Sequence, residues 1–200
     1  ATHKRIPRFS INLSSQTLED PAFPKAVALE LVAAGVPGTA LLFEISEADT
    51  LVRLEASVQF ATAIGVVGCG LMVGGFGRRA ATFMPLKTLR PDYVKVDGVI
   101  VRKLLTAPAA EAKLRAVIRV GEVMGFQVVA EMVEEQDILT RLKALGVRPA
   151  HHYPRATAHV PEMLEMIRVL IAKGHAYRVG ENVYFDVSTF REYGKFTVKP

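Results

Sequence analysis

GLMVGGFGRRAATFMPLKTLRPDYVKVDG, residues Gly70–Gly98, decides the fold. Leu71, Met72 and Val73 form an unbroken apolar run, the pattern of a strand buried on both faces. Gly74, Gly75 and Gly77 follow and free the backbone from side-chain sterics, which predicts a loop. Leu86 and Leu89 belong to a short helix that Pro91 ends. Tyr93–Asp97 reads as a second strand, on which Lys95 and Asp97 share one side at period two. A lysine and a carboxylate pointing the same way at a strand end suit a polar site better than a core.

The same alternation extends in both directions. Arg8–Leu13 is expected to be a strand with Phe9, Ile11 and Leu13 on one face, and a helix covers Ala26–Ala34 up to Gly35. Ala40–Ile45 is another apolar strand, with Glu44 near its end and Glu47 just beyond. Asp49 or Thr50 is the expected cap of a helix carrying Leu51, Leu54, Val58 and Ala61, which Gly65 closes. Pro108 suits the first turn of a helix that runs to Met124 and stops at Gly125. Gln127–Val133 is a further strand, and Glu135–Leu145 a helix ending at Gly146. Strands alternating with helices in this way predict a parallel α/β sheet, either doubly wound or most of a (β/α)8 barrel. Asn12, Glu44, Gly74-Gly75, Lys95 with Asp97, and Glu131 each fall at or near the C-terminal end of a different strand. Strand ends converge at the top of a barrel, so a partial (β/α)8 TIM-type barrel is the expected fold.

Composition narrows the function classes. The chain has 200 residues, half of them apolar, enough for one good core or for a domain plus a small appendage. No apolar run approaches the roughly 18 residues that span a bilayer, no signal peptide is evident, and a cytoplasmic location without membrane contact is expected. The chain does not begin with Met, which suggests a trimmed or excised piece. The single cysteine, Cys69, excludes an internal disulfide and a multi-cysteine zinc site, and reads as a structural thiol. The net charge of +5 comes from scattered residues: Lys4, Arg5, Arg8, Arg78, Arg79, Arg90 and Arg191. There is no Trp and no basic-aromatic stripe, so nucleic acid is not an expected partner. Gly74-Gly75-Phe76-Gly77 matches neither phosphate-loop spacing. His151 and His152 are adjacent and point opposite ways on an extended segment, the pattern of a solvated loop and not of a metal pair. His159 reads as a cap or surface residue, and Met163 and Met166 as core packing.

From about residue 8 to residue 147 the chain resembles the EAL domain, the family that hydrolyses cyclic di-GMP. The family writes DDFGTG where this chain has GGFG, and K-x-D where it has Lys95-Val96-Asp97. The resemblance implies that Asn12, in N-L-S, and Glu44, in FEISE, stand where metal ligands belong. It likewise implies that Lys95 matches the lysine associated with the catalytic water, and that Glu131 and Glu134, in AEMVEE, match the glutamates of A-E-G-V-E. The departures are chemical. Gly74 and Gly75 replace two aspartates, the Glu-Ala-Leu strand is expected to be missing, and Arg148–His152 replaces a Gln-Gly-Tyr segment.

Tyr153–Thr197 resembles a different family, cysteinyl-tRNA synthetase, through PRATAHVPEM, KGHAY and VYFDVSTFREYGK. Pro161 opens a helix with Met163, Met166, Ile167, Leu170 and Ile171 on one face, and Gly180-Glu181-Asn182 marks a hairpin. The ATP-handling motifs and zinc cysteine of that family are absent from this stretch. The expected organisation is a barrel portion over 1–147 and a helix plus hairpin over 148–200, packed on the barrel, in a natural or engineered fusion.

Two-metal phosphodiester hydrolysis needs carboxylates that hold both ions about 4 Å apart. Glu44 and Asn12 alone leave a hard cation undercoordinated. The expectation is therefore a catalytically inactive EAL-like module, with at most weak cyclic di-GMP binding around Asn12, Glu44, Lys95, Asp97, Glu131 and Glu134. No cofactor is expected, with Mg²⁺ or Ca²⁺ entering only if the remnant at Asn12 and Glu44 binds it. The alternatives are a structural chimera without ligand and, more weakly, a synthetase-related fragment.

Overall fold

β1 (Phe9–Asn12), β2 (Leu41–Ser46), β3 (Gly70–Phe76), β4 (Tyr93–Val96) and β5 (Gln127–Ala130) form one sheet in that order in the computed structural model. Every neighbouring pair is parallel. The structure describes residues 7–78, 82–150, 154–191 and 193, so Lys4, Arg5, Arg79, His151 and His152 lie outside it. A strand order without reversal is that of a barrel segment, whereas a doubly wound sheet would switch direction partway. The fold is therefore a partial (β/α)8-type α/β barrel.

The connections are helical. α1 (Ser15–Glu19) and α2 (Phe23–Ala34) join β1 to β2, and α3 (Glu47–Val52) and α4 (Leu54–Val66) join β2 to β3. α5 (Met84–Leu89) precedes β4, α6 (Gly98–Arg102) and α7 (Pro108–Met124) precede β5, and α8 (Gln136–Ala144) follows it. The cap of α3 is Ser46, not Asp49 or Thr50, since the Ser46 hydroxyl accepts the Asp49 N–H at 3.0 Å. It also donates to Asp49 Oδ2 at 2.6 Å, so Asp49 closes the cap from inside the first turn. The single expected helix is consequently two, broken at Arg53.

Alternation along the strands separates two faces. Phe43 and Ile45 of β2, Leu71 and Val73 of β3, and Val94 and Val96 of β4 are buried against Phe60, Ile64, Leu86, Leu114, Ile138 and Leu142 of the helices. Each such side chain contributes about 1.5–3 kcal/mol by leaving water. Phe43 and Phe60 meet edge to face at 5.6 Å between ring centres. The opposite face carries Glu44 and Lys95. Arg8, just before β1, donates to the Tyr93 hydroxyl of β4 at 3.2 Å and lies 5.9 Å over its ring. Two strands stand between β1 and β4, so this contact requires the sheet to curl. The expected apolar face of β1 is not buried. Phe9 is 55% exposed, because among the described residues β1 pairs with β2 alone and is an edge of the sheet.

The chain divides into two compact units, Ala1–Pro149 and Ala150–Pro200. In the second, α9 (Val160–Ala172) is followed by β6 (Ala176–Val179) and β7 (Asn182–Phe185), an antiparallel hairpin turned at Gly180 with φ 61°. Tyr177 and Tyr184 stack across it at 5.8 Å. Met163 and Met166 are exposed, against the reading that made them core residues, and none of the residues of α9 is buried. A single helix beside a two-stranded hairpin has too little area to enclose an apolar face.

Arg141 of α8 and Arg115 of α7 both hydrogen-bond Glu111 and hold its carboxyl below its ordinary value. A depressed carboxylate contributes stability that is complete above the unfolded-state pKa and is lost as pH falls through the lower folded value. Glu111→Gln should therefore flatten the acid limb of the melting temperature against pH, read by thermal melts between about pH 7 and about pH 3.

Candidate functional site

β3 does not end where its apolar run ends. The predicted glycine loop is strand as far as Phe76, with Gly74 opposite Ser46 of β2. Its register with β4 slips between Val73 and Phe76, a bulge that Gly75 accommodates at φ 67°. Glycine is what this path requires, since an L side chain at Gly75 would be held in a left-handed conformation.

The bulge sits between two charged side chains. Glu44 comes from β2 and Lys95 from β4, on either side of β3. Lys95 Nζ donates to Glu44 Oε2 at 2.7 Å and lies 2.6 Å from Glu44 Oε1, with Glu131 Oε2 3.7 Å away. The side chains are 21%, 11% and 25% exposed for Lys95, Glu44 and Glu131, so water screens these charges only in part. The pair spans the width of β3, and it closes because no side chain rises from Gly74 between the partners. A Cβ built on Gly74 would overlap Glu44 Oε1 and stand 2.9 Å from Glu44 Cδ.

Of the residues singled out in the sequence, Glu44, Lys95 and Glu131 come together. The other Glu131 oxygen accepts the Gly98 N–H at 2.9 Å, tying β5 to the start of α6. Asp97 is buried and caps α6 through the Val99 N–H at 2.8 Å, with Arg78 Nε 4.0 Å from its other oxygen. Asn12 pairs in register with Glu44 but is exposed and makes no side-chain hydrogen bond among the described residues. Glu134 is exposed and outside the cluster, because β5 ends at Ala130 and Met132, at φ 54°, turns the chain just beyond Glu131. Glu47 was not singled out for the site. It is buried, and its Oε1 accepts the Gly77 N–H at 3.0 Å, fixing the exit of β3. The signal for it was the second glutamate of FEISE.

A divalent cation does not fit these residues as they stand. Both Glu44 oxygens face the Lys95 ammonium, one Glu131 oxygen is taken by a backbone amide, and Gly74 and Gly75 present no side-chain ligand. Among the described residues no group of three or more His, Cys, Asp or Glu side chains is placed to hold a metal.

Charged residues gather at the C-terminal strand ends of a curled parallel sheet, the arrangement of a (β/α)8-type barrel. The chain belongs to the EAL domain family, which it matches over residues 1–150. It is 30% identical over 144 residues to the cyclic di-GMP phosphodiesterase PdeB of Shewanella oneidensis, covering 72% of this chain and 17% of that protein. The EAL domain of FimX from Pseudomonas aeruginosa, solved bound to c-di-GMP, superposes with a TM-score of 0.66 at 27% identity, over 70% of this chain and 57% of that one. A 55-residue segment is 51% identical to the cysteine–tRNA ligase of Heliobacterium modesticaldum, covering 28% of this chain and 11% of the ligase. The chain thus spans under a fifth of the length of either curated relative.

Gly75 tests the bulge. A Cβ there has room, with its nearest neighbour Asp97 Oδ2 at 3.9 Å, so only the backbone conformation resists substitution. Gly75→Ala should lower unfolding free energy by about 1–2 kcal/mol in urea denaturation, with the slope unchanged.

Proposed function

We propose that this chain is an EAL-domain module that does not hydrolyse cyclic di-GMP and serves as a weak receptor for it or as a scaffold. One observation carries the reading: Lys95 holds the Glu44 carboxylate across Gly74, where the family motif has an aspartate. Two-metal hydrolysis polarises a water between ions held by carboxylates. At this strand end the carboxylate is spent on an internal lysine instead. The nucleotide class rests on the relatives, of which PdeB is named a cyclic di-GMP phosphodiesterase and FimX was solved with c-di-GMP bound.

Lys95 supplies the positive charge that a phosphate would seek, while Glu44 and Glu131 together outweigh it. Phosphate binding at such a site is weak because like charges meet in a partly screened environment. Titration calorimetry with cyclic di-GMP, with and without Mg²⁺ or Ca²⁺, is the direct test, run beside chromatography for linear product. The reading expects measurable weak binding and no linear product above a no-protein control in Mg²⁺ or Mn²⁺. Turnover would overturn it. Lys95→Ala should weaken any binding by about tenfold without unfolding the domain.

A second reading, a structural fusion without ligand, is favoured by the segment 51% identical to a cysteine–tRNA ligase. No heat of binding at millimolar nucleotide, together with unchanged ion-pair residues, would select it over the receptor.

A further inference from the structure

Two carboxylates facing one another at the end of a parallel sheet repel unless a cation stands between them. In this chain the cation is covalently attached. Lys95 Nζ lies 2.6 Å and 2.7 Å from the two Glu44 oxygens and 3.7 Å from Glu131 Oε2. We infer that Lys95 is a built-in counter-ion that excludes divalent cations from this cluster, and that Gly74 is the positioning residue that lets Glu44 reach it.

The geometry makes Gly74 necessary. Glu44 and Lys95 belong to strands on opposite sides of β3, so the Glu44 carboxylate must lie over the β3 backbone to meet the ammonium. It does so at Gly74. A Cβ there would overlap Glu44 Oε1 and stand 2.9 Å from Cδ and 3.1 Å from Cγ. Three successive atoms of the side chain are crowded, so rotating the carboxylate frees Oε1 but leaves Cδ at 2.9 Å and Cγ at 3.1 Å. The whole Glu44 side chain would have to turn away from Lys95.

Among the described residues, the surrounding charges leave the ammonium as the cluster's own cation. Glu131 Oε1 is held by the Gly98 N–H, Asp97 Oδ1 by the Val99 N–H, and Glu47 Oε1 by the Gly77 N–H. Arg78 stands by Asp97 and not by Glu44. A divalent cation entering between Glu44 and Glu131 would meet the ammonium at close range, and like charges at about 4 Å repel strongly wherever water is partly excluded. Removing the ammonium removes both the repulsion and the competitor for the oxygens.

The test is a Mn²⁺ titration followed by the electron paramagnetic resonance of the free ion. The parent should hold no Mn²⁺ that depends on Glu44, shown by comparison with Glu44→Gln. Lys95→Met should bind Mn²⁺ about tenfold more tightly than the parent or better, and adding Glu44→Gln should abolish the gain. Binding by the parent that Glu44→Gln removes, or no gain in a folded Lys95→Met, overturns the inference.

A second measurement needs no loss of the lysine. Acylation of Lys95, quantified by peptide mass spectrometry against exposed Lys113 in the same sample, reports whether the ammonium is held. Gly74→Ala should raise the Lys95 rate several-fold while leaving Lys113 unchanged. Equal Lys95 rates in parent and variant overturn the positioning role of Gly74. Neither experiment depends on nucleotide binding, so a parent blind to cyclic di-GMP leaves both results standing.

Discussion

The ion pair that crosses β3 is the constraint on which the site depends. Lys95 and Glu44 rise from strands that are not neighbours, and their contact closes only above a residue without a side chain. The strand between them also has to slip register, which Gly75 allows. Ser46, Glu47 and Asp97 then anchor the chain as it leaves β2, β3 and β4. Ser46 caps α3, Glu47 takes the Gly77 amide, and Asp97 caps α6. Each strand exit is fastened by a side chain that accepts a backbone N–H otherwise left without a partner. The acidic residues at these exits are therefore divided between two tasks, fastening the backbone and neutralising Lys95.

The rest of the first unit supports this arrangement from below. The helix-facing side of the sheet, with Phe43, Ile45, Leu71, Val73, Val94 and Val96, is aliphatic and aromatic and holds the strands at fixed spacing. That spacing lets a lysine on β4 meet a glutamate on β2 with little freedom to move away. Arg8 and Tyr93 join β1 to β4 near the opposite ends of the strands, and the resulting curl brings the upper strand ends toward one another. Membership of the EAL family and the superposition on FimX agree with this curled order of strands.

The second unit follows different rules. α9 has a pronounced apolar side, yet none of its residues is buried, and Tyr177, Tyr184 and Phe185 of the hairpin are exposed. Local signals suffice to form such elements. Pro161 starts the helix, Gly174 at φ 75° ends it, and Gly180 turns the hairpin. Burial requires area that one helix and two strands do not possess.

The sequence by itself determined the strand and helix alternation, the starts of α7 and α9 at Pro108 and Pro161, and the gathering of polar residues at strand ends. These follow from periodicity and local sterics, which act between residues near in the chain. It also marked Gly74 and Gly75 as the chemically decisive departure, because glycine offers no side-chain ligand atom. It misjudged Gly74-Gly75 as a loop and gave α3 the wrong cap, and it placed Glu134 with Glu44, whereas Glu134 lies outside the cluster and Asn12 pairs in register with Glu44. The α3 cap is a local contact, Ser46 with Asp49 three residues on, whereas tertiary structure decided the state of Gly74 and of Glu44, which turns on what lies across a neighbouring strand. A glycine is a loop when nothing pairs with it and a strand residue when Ser46 does. A glutamate is a metal ligand when its oxygens are open and half of an ion pair when Lys95 stands within 2.7 Å. Residues 51 positions apart in sequence meet there, and no local pattern encodes the Cβ-sized gap at Gly74 that admits them.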